Sequence, residues 1–296
     1  MRAQIIYNPT SGKELFKTHI HKVVEKLSSK GYIVEVYPTK CVGDANSAAI
    51  IASNNNVDLL VVSGGDGTLH EIVNGLAERE YKPTILYIPS GTTNDFAKSI
   101  KIPTNFNNAL GLIDNGIVKS IDIGKINNKF FVYVACFGAF TKVSYSTSSK
   151  LKSVFGHLAY VFSGVSDIPK LNEPLDVELI VDDKTSFHKS SIFLVANSTG
   201  FAGLKNILPN SRVDDGKFDV INLNSKNIGI LPELIKNITT GVKTDINKNG
   251  IMHLETKQIT IRSKKKLKWN LDGEYGIDGD ATISCLSKHI KIIVPK

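Results

Sequence analysis

The chain has 296 residues, 42% of them hydrophobic, and a formal net charge of +8. That length accommodates one large domain or two, and the positive balance favours an anionic partner: a nucleotide, a nucleic acid or an anionic membrane surface. Cys41, Cys136 and Cys285 form no C-x-x-C pair, the histidines show no metal-ligand spacing, and no stretch approaches the ~18 apolar residues of a membrane span, so composition argues against a disulfide framework, a zinc site and a spanning helix.

Along the first 120 residues short apolar runs alternate with helical periodicity, the pattern of an α/β layered domain. Gln4 to Tyr7 reads as a strand, and the apolar run ending at Tyr7-Asn8-Pro9 is too short for a signal-peptide core. Phe16, Ile20, Val23, Val24 and Leu27 recur at helical spacing. Tyr32 to Tyr37 is a second strand, Asp44 to Ala52 a helix of small residues, and Val57 to Val62 a third strand, apolar enough to be buried on both faces as parallel strands usually are. A helix is expected from about Leu69 to Ala77, and a fourth strand from Thr84 to Ile88.

After Lys119 the pattern changes. Ser120 to Ile126, Phe130 to Cys136, Leu175 to Val181, Ile192 to Ala196, Phe218 to Leu223 and Gln258 to Arg262 are strand-like, with turns at Asn127-Asn128 and Asp182-Asp183. Helical pieces are expected at about 150–165 and 230–240. The second half therefore reads as a mostly antiparallel β domain, with the boundary near residue 122.

Three segments directly after strands carry phosphate chemistry. Gly64-Gly65-Asp66-Gly67-Thr68 surrounds one carboxylate with glycines, and a missing Cβ permits close backbone approach to a phosphate. Asn8-Pro9-Thr10-Ser11-Gly12-Lys13 offers a turn, two hydroxyls and a glycine, without the spacing of a P-loop. Taken alone it reads more readily as an Asn-Pro turn entering a helix. Pro89-Ser90-Gly91-Thr92-Thr93-Asn94-Asp95-Phe96 repeats the combination of hydroxyls, glycine and carboxylate. All three fall where ligands bind in open α/β sheets, outside the carboxyl ends of strands.

N-P-x-S-G at 8–12, G-G-D-G-T at 64–68, P-x-G-T-x-N-D-F at 89–96, V-D-D-G-x-F-D at 213–219 and D-G-E at 272–274, in this order, resemble the diacylglycerol kinase catalytic-domain family, which includes sphingosine and ceramide kinases and is distantly related to NAD kinases. The resemblance runs nearly end to end and is to the soluble enzymes of Gram-positive bacteria in particular. It implies a nucleotide-binding α/β domain over residues 1–122, a β-sandwich lipid-substrate domain over 123–284 with the last residues, 285–296, packing back on the first, and an active site in the cleft between them.

It further implies ATP binding at Asn8, Pro9, Thr10, Ser11, Gly12, Thr39, Gly65, Asp66, Gly67, Thr68, Leu69, His70, Glu71 and Thr92. Glu274 falls on the family's catalytic base, and Asp66 and Asp95 on the holders of a Mg²⁺-water network. A structural Mg²⁺ is implied at the turn Val213-Asp214-Asp215-Gly216-Lys217, through the Asp215 carboxylate and the carbonyls of Arg212 and Lys217. A solvated Asp-Asp-Gly turn is the plain reading of those residues, as a hairpin-turn carboxylate is of Glu274. Many relatives carry a glycine triplet where this chain has Gly200-Phe201-Ala202-Gly203, which leaves the lipid-side loop less defined than the nucleotide site.

The implied activity is ATP- and Mg²⁺-dependent phosphorylation of diacylglycerol to phosphatidic acid in phospholipid recycling, by a cytoplasmic homodimer touching the inner face of an anionic membrane peripherally. Phosphatidylglycerol, a sphingoid base or undecaprenol are alternative acceptors for the same fold. An NAD kinase and a catalytically silent lipid or nucleotide sensor are more distant alternatives. Lys257, Arg262, Lys264, Lys265, Lys266 and Lys268 form a basic segment without an acidic residue, suited to anionic lipid and equally to a solvated turn. Residues 149–162 mix lysines with large apolar side chains, as an interfacial helix or an ordinary core helix does. Nothing in the sequence matches a nucleic-acid motif.

Overall fold

A computed structural model describes residues 1–11, 15–138, 174–200, 208, 210–224 and 251–296. The helices expected at 150–165 and 230–240, the mixed basic-apolar segment 149–162, Gly12 and most of the loop at 200–203 lie outside the described residues. Two compact units divide the chain: Met1–Asp122 with Lys288–Lys296, and Ile123–Ser287.

The first unit begins with β1 (Arg2–Tyr7), α1 (Leu15–Ser29), β2 (Ile33–Pro38) and α2 (Asp44–Asn54). Next come β3 (Leu59–Gly64), α3 (Asp66–Leu76), β4 (Thr84–Pro89), α4 (Asp95–Ser99) and α5 (Phe106–Asn115). Helix α1 buries Phe16, Val23 and Leu27, the stripe expected from its periodicity. It stops at Gly31, whose φ of +80° lets Gly31 N–H reach the Ser28 carbonyl and Tyr32 N–H the Leu27 carbonyl, a Schellman ending.

Strands β1, β2, β3 and β4 pair in parallel in the order β2-β1-β3-β4. All six residues of β3 are buried, because helices cover both faces of such a sheet. Between β1 and β3 the direction of strand addition reverses, and at such a switch point the connections leave the sheet to opposite sides and open a crevice at the carboxyl ends.

The second unit contains β5 (Ile117–Ile126) from Ile123 onward, β6 (Lys129–Phe131), β7 (Val134–Gly138), β8 (Leu175–Val181), β9 (Lys184–Ser190) and β10 (Ile192–Ala196). It continues with β11 (Phe218–Leu223), β12 (Met252–Thr256), β13 (Gln258–Arg262), β14 (Lys268–Leu271), β15 (Glu274–Asp278) and β16 (Ala281–Val294) up to Ser287. From Lys288 on, β16 belongs to the first unit, where Ile292 pairs in parallel with Ile85 of β4.

Antiparallel strands β16, β13, β8 and β9 form one layer of the second unit, and β12-β11-β10-β7-β14-β15 form the other. Val177, Leu179, Ile259, Ile261 and Ile283 meet Ala135, Phe137, Phe193, Val195, Phe218, Val220, Trp269 and Leu271 between the layers, a β-sandwich core. Phe137 stacks on Phe193 at 5.1 Å and meets Trp269 edge-on at 4.8 Å, while the Trp269 indole N–H donates to the Gly279 carbonyl at 3.1 Å.

Two predicted elements need correction. Helix α3 starts at Asp66 rather than Leu69, because glycine and a carboxylate occupy its first turn without interrupting it. The strand expected over Phe130 to Cys136 is two strands, broken at Val132 and Tyr133, whose N–H groups turn to the carboxylate of Asp272 instead of a neighbouring strand.

His289, on the terminal segment of β16, hydrogen-bonds the Ala77 carbonyl at 2.6 Å, so its Nε2 carries the proton. Burial, with the Lys82 charge after it, holds the imidazole pKa below its ordinary 6.5. The folded chain therefore binds fewer protons at this residue than the unfolded one, and the stability it contributes is complete above 6.5 and declines as pH falls toward the folded value. In thermal melts between about pH 7 and pH 5, part of the loss of midpoint temperature should vanish in His289→Gln, which keeps a neutral donor for Ala77.

Candidate active site

The loops after β1, β3 and β4 are joined by hydrogen bonds into one surface of the first unit. Ser63 Oγ donates to Ser90 Oγ at 3.2 Å, Ser90 Oγ to Ser11 Oγ at 3.2 Å, and Ser11 Oγ to the Ser90 carbonyl at 3.0 Å. Asn8 Oδ1 accepts both the N–H and the hydroxyl of Thr10, folding the first loop into an Asx turn. Thr39, at the end of β2, donates its N–H to the Tyr7 carbonyl at 2.9 Å and so lies beside the same strand end.

Asp66 ties the second loop to the third. Its Oδ2 accepts the Asp95 N–H at 3.0 Å and its Oδ1 the Phe96 N–H at 3.2 Å. Asn94, at a φ of +52°, accepts the Gly91 N–H and donates to the Gly91 carbonyl, closing the third loop on itself. A Cβ on Gly91 would overlap Gly65 Cα, so the two loops approach at a distance only glycine permits. Tyr87 donates its hydroxyl to the Gly64 carbonyl at 3.2 Å, and burial first, then the Asp66 charge, keeps that phenol protonated well above its ordinary pKa.

No side chain caps α3, whose N-cap residue is Gly65. The first-turn N–H groups of Asp66, Gly67 and Thr68 and the positive end of the helix dipole therefore point toward the loop surface, an arrangement suited to phosphate oxygens. Leu69 is buried and packs the helix onto the sheet. His70 accepts a hydrogen bond from Asn74 Nδ2 at its carbonyl, 2.9 Å away.

Glu71 has a local task that its sequence position does not disclose. Its Oε1 accepts the Gly43 N–H at 3.0 Å and its Oε2 the Ala45 N–H at 3.1 Å, so the carboxylate shapes the loop that follows Thr39. Asn8, Pro9, Thr10, Ser11, Thr39, Gly65 to Glu71, Thr92, Asp66 and Asp95 are thus all in the first unit, and Glu274 is in the second. Sequence reasoning placed Ser90 and Asn94 in the third loop without giving either a role, and it missed Tyr87, which reads as an ordinary strand residue.

Asp66 and the buried Asp95 supply carboxylates on adjoining loops. Each Asp66 oxygen accepts one of these backbone N–H groups, and carboxylates on adjoining loops suit a hard cation that keeps most of its waters. Among the described residues no group of three or more Asp, Glu, His or Cys forms an all-protein cage. At the turn 212–217, Asp215 Oδ1 accepts the Lys217 N–H at 3.1 Å and Gly216 turns at a φ of +75°. Arg212 Nε pairs with Asp214 at 3.3 Å, leaving Asp215 as the turn's exposed carboxylate.

Two cations of the basic segment are ion-paired: Arg262 with Glu178 at 3.9 Å and Lys266 with Asp278 at 2.5 Å. The Lys266 ammonium holds the Asp278 carboxyl below its ordinary range. A groove of about 690 Å³ lies against Arg262, Glu178, Asp176, Lys189 and Phe187, and Lys189 is paired with Asp176 at 3.0 Å, so its walls balance charge of both signs. Among the described residues no helix is long and apolar enough to cross a membrane.

Glycine- and hydroxyl-bearing loops at the carboxyl edge of a parallel sheet, in a chain that continues into a β-sandwich, define an enzyme of the NAD kinase and diacylglycerol kinase type. Residues 2–126 match the family model for the diacylglycerol kinase catalytic domain, and residues 136–294 that for the YegS C-terminal NAD kinase beta sandwich-like domain. The chain is 38% identical over 297 residues to the diacylglycerol kinase of Bacillus subtilis strain 168, covering 100% of this chain and 97% of that protein. It is also 38% identical over 295 residues to the diacylglycerol kinase of Staphylococcus epidermidis, covering 100% and 92%. The crystal structure of a diacylglycerol kinase from Bacillus anthracis strain Sterne superposes with a TM-score of 0.81 at 28% identity, over 99% of this chain and 96% of that one. The chain belongs to the diacylglycerol kinase family, a family of lipid kinases for which ATP is the co-substrate.

Proposed function

We propose that this chain transfers the γ-phosphoryl group of ATP to the free hydroxyl of diacylglycerol, forming phosphatidic acid and returning diacylglycerol to phospholipid synthesis. The observation that carries this reading is the interlocked loop surface: Ser11, Ser63 and Ser90 linked by hydroxyls, Asp66 clamping Asp95 and Phe96, and Gly65 against Gly91. Phosphoryl transfer asks the protein mainly for position and charge stabilisation, and loops held by one another meet that demand better than separate turns. Relatives named diacylglycerol kinase at 38% identity over their length support the choice of acceptor.

In this reading Asn8 to Gly12, Thr39, Gly65 to Glu71 and Thr92 bind ATP, with Glu71 acting through the Gly43–Ala45 backbone that it holds. Asp66 and Asp95 would hold Mg²⁺ through waters, and the ion would supply neutralisation of phosphate charge. The Glu274 carboxylate takes the hydroxyl proton as the lipid oxygen bonds to the γ-phosphorus and the bond to the β-phosphate oxygen breaks, releasing ADP. The Asp215 carboxylate and the carbonyls of Arg212 and Lys217 would hold a second, structural Mg²⁺. The enzyme in this reading touches an anionic membrane peripherally, and its working form is a homodimer.

The test is Mg²⁺-dependent transfer of labelled γ-phosphate to diacylglycerol in anionic mixed micelles, phosphatidylglycerol, sphingosine, undecaprenol and NAD. Labelled phosphatidic acid as the dominant product is expected. Labelling of another acceptor replaces the substrate assignment, and ATP binding without labelling of any acceptor favours a silent sensor.

A further inference from the structure

Glu274 is exposed and stands at the first position of β15, directly opposite Leu271 of β14. The two-residue connection between these strands is Asp272-Gly273, with φ of +53° and +99°. Both residues being left-handed makes this the tight hairpin turn that Asp-Gly favours. Such a turn needs only a small polar residue at its first position, and a surface aspartate would satisfy it.

Asp272 is not a surface aspartate: it is 3% exposed. Its Oδ2 accepts the Val132 N–H at 2.7 Å, and its Oδ1 accepts the N–H groups of Tyr133 at 2.9 Å and Val134 at 3.1 Å. The Tyr133 hydroxyl donates to the Asp272 carbonyl at 3.2 Å, the Asp272 N–H donates to the Val134 carbonyl at 2.9 Å, and the Gly273 N–H donates to Asn270 Oδ1 at 2.9 Å. Asn197 holds the other side of the same segment, donating its N–H to the Tyr133 carbonyl and its Nδ2–H to that of Val132. The backbone gives up strand pairing at Val132 and Tyr133 to make these bonds.

We infer that Asp272 is the positioning residue of the catalytic base: its buried carboxylate, clamped by three successive backbone N–H groups, fixes the turn from which Glu274 projects. The inference rests on the proposed role of Glu274. A base on an exposed hairpin end otherwise shares the hairpin's motion, and a displacement near 1 Å costs a proton-transfer site about 10²-fold in rate. Asparagine at 272 keeps the size and the left-handed preference but has one acceptor oxygen, so its amide N–H faces a backbone N–H of the 132–134 segment.

The experiment is a double-mutant cycle in labelled-phosphate turnover of the full chain, with folding checked by thermal melts. Asp272→Asn is expected to lower kcat by about 10²-fold with KM for ATP unchanged, and to cause no further loss when introduced into Glu274→Gln, because a residue that acts through another adds nothing once the other is gone. Unchanged kcat in folded Asp272→Asn, or losses that multiply in the double variant, overturns the inference while the base assignment stands. Full turnover in Glu274→Gln overturns the base assignment, and the inference with it. If Asp272→Asn does not fold, Tyr133→Phe decides, since it removes the hydroxyl that donates to the Asp272 carbonyl and keeps the ring. A several-fold drop in kcat, absent in the Glu274→Gln background, supports the inference, and an unchanged kcat overturns it.

Discussion

Glu274→Gln is expected to lower kcat by about 10²- to 10⁴-fold, the contribution of a positioned general base, equivalent to about 3 to 5 kcal/mol of barrier. Glutamine has the same shape and cannot accept the hydroxyl proton. Position 274 is exposed and joins β15 to β14 through its backbone, so the substitution leaves the sandwich core untouched. The ATP-binding residues proposed here are all in the other compact unit, and KM for ATP should remain near the wild-type value. Labelled phosphate transfer to diacylglycerol reads both quantities. Wild-type kcat in this variant would remove Glu274 from the proton transfer.

Asp66→Ala is expected to reduce kcat/KM for ATP by about 10²-fold or more and to lower the melting temperature, because one side chain serves two ends. Its carboxylate carries the hydrogen bonds that hold Asp95 and Phe96, and charge-assisted bonds of this kind contribute about 1.5 to 3 kcal/mol each before solvent screening. Alanine removes the carboxylate ties between the second loop and the third, which loosens the Gly65–Gly91 approach and leaves the Ser63–Ser90 contact in place. Asp66→Asn keeps one acceptor and should fall between alanine and wild type in melting temperature. ATP binding measured by calorimetry, alongside turnover, separates the effect on loop geometry from that on phosphate charge. Alanine at position 66 with wild-type affinity and turnover would show that the loops need no clamp.

Motifs pointed to the correct family because the residues proposed to meet phosphate are local signals. Gly64 to Thr68, Pro89 to Phe96 and Asn8 to Ser11 each follow a strand within a few positions, and a glycine next to a carboxylate after a buried run says where backbone must come close to a ligand. The alternation of runs and helical stripes through residue 120 likewise placed β1, β3, β4 and α1 within a few residues of their observed ends. Strands β8, β10, β11 and β13 coincide with their expected limits because apolar runs bounded by turn residues leave little freedom.

Local pattern could not disclose partners distant in sequence. Nothing around Phe130 to Cys136 announces that two of its N–H groups leave the strand, since the acceptor is Asp272, 139 and 140 residues away. Glu71 resembles an ordinary helix residue until Gly43 and Ala45 are seen to hydrogen-bond it, and Tyr87 an ordinary strand residue until its hydroxyl meets Gly64. By itself the sequence determined where strands run and which loops carry the residue types proposed to face phosphate, because sterics and burial act over a few residues. Only the tertiary structure decided which carboxylates anchor backbone, because a buried charge takes whatever N–H groups the fold brings to it.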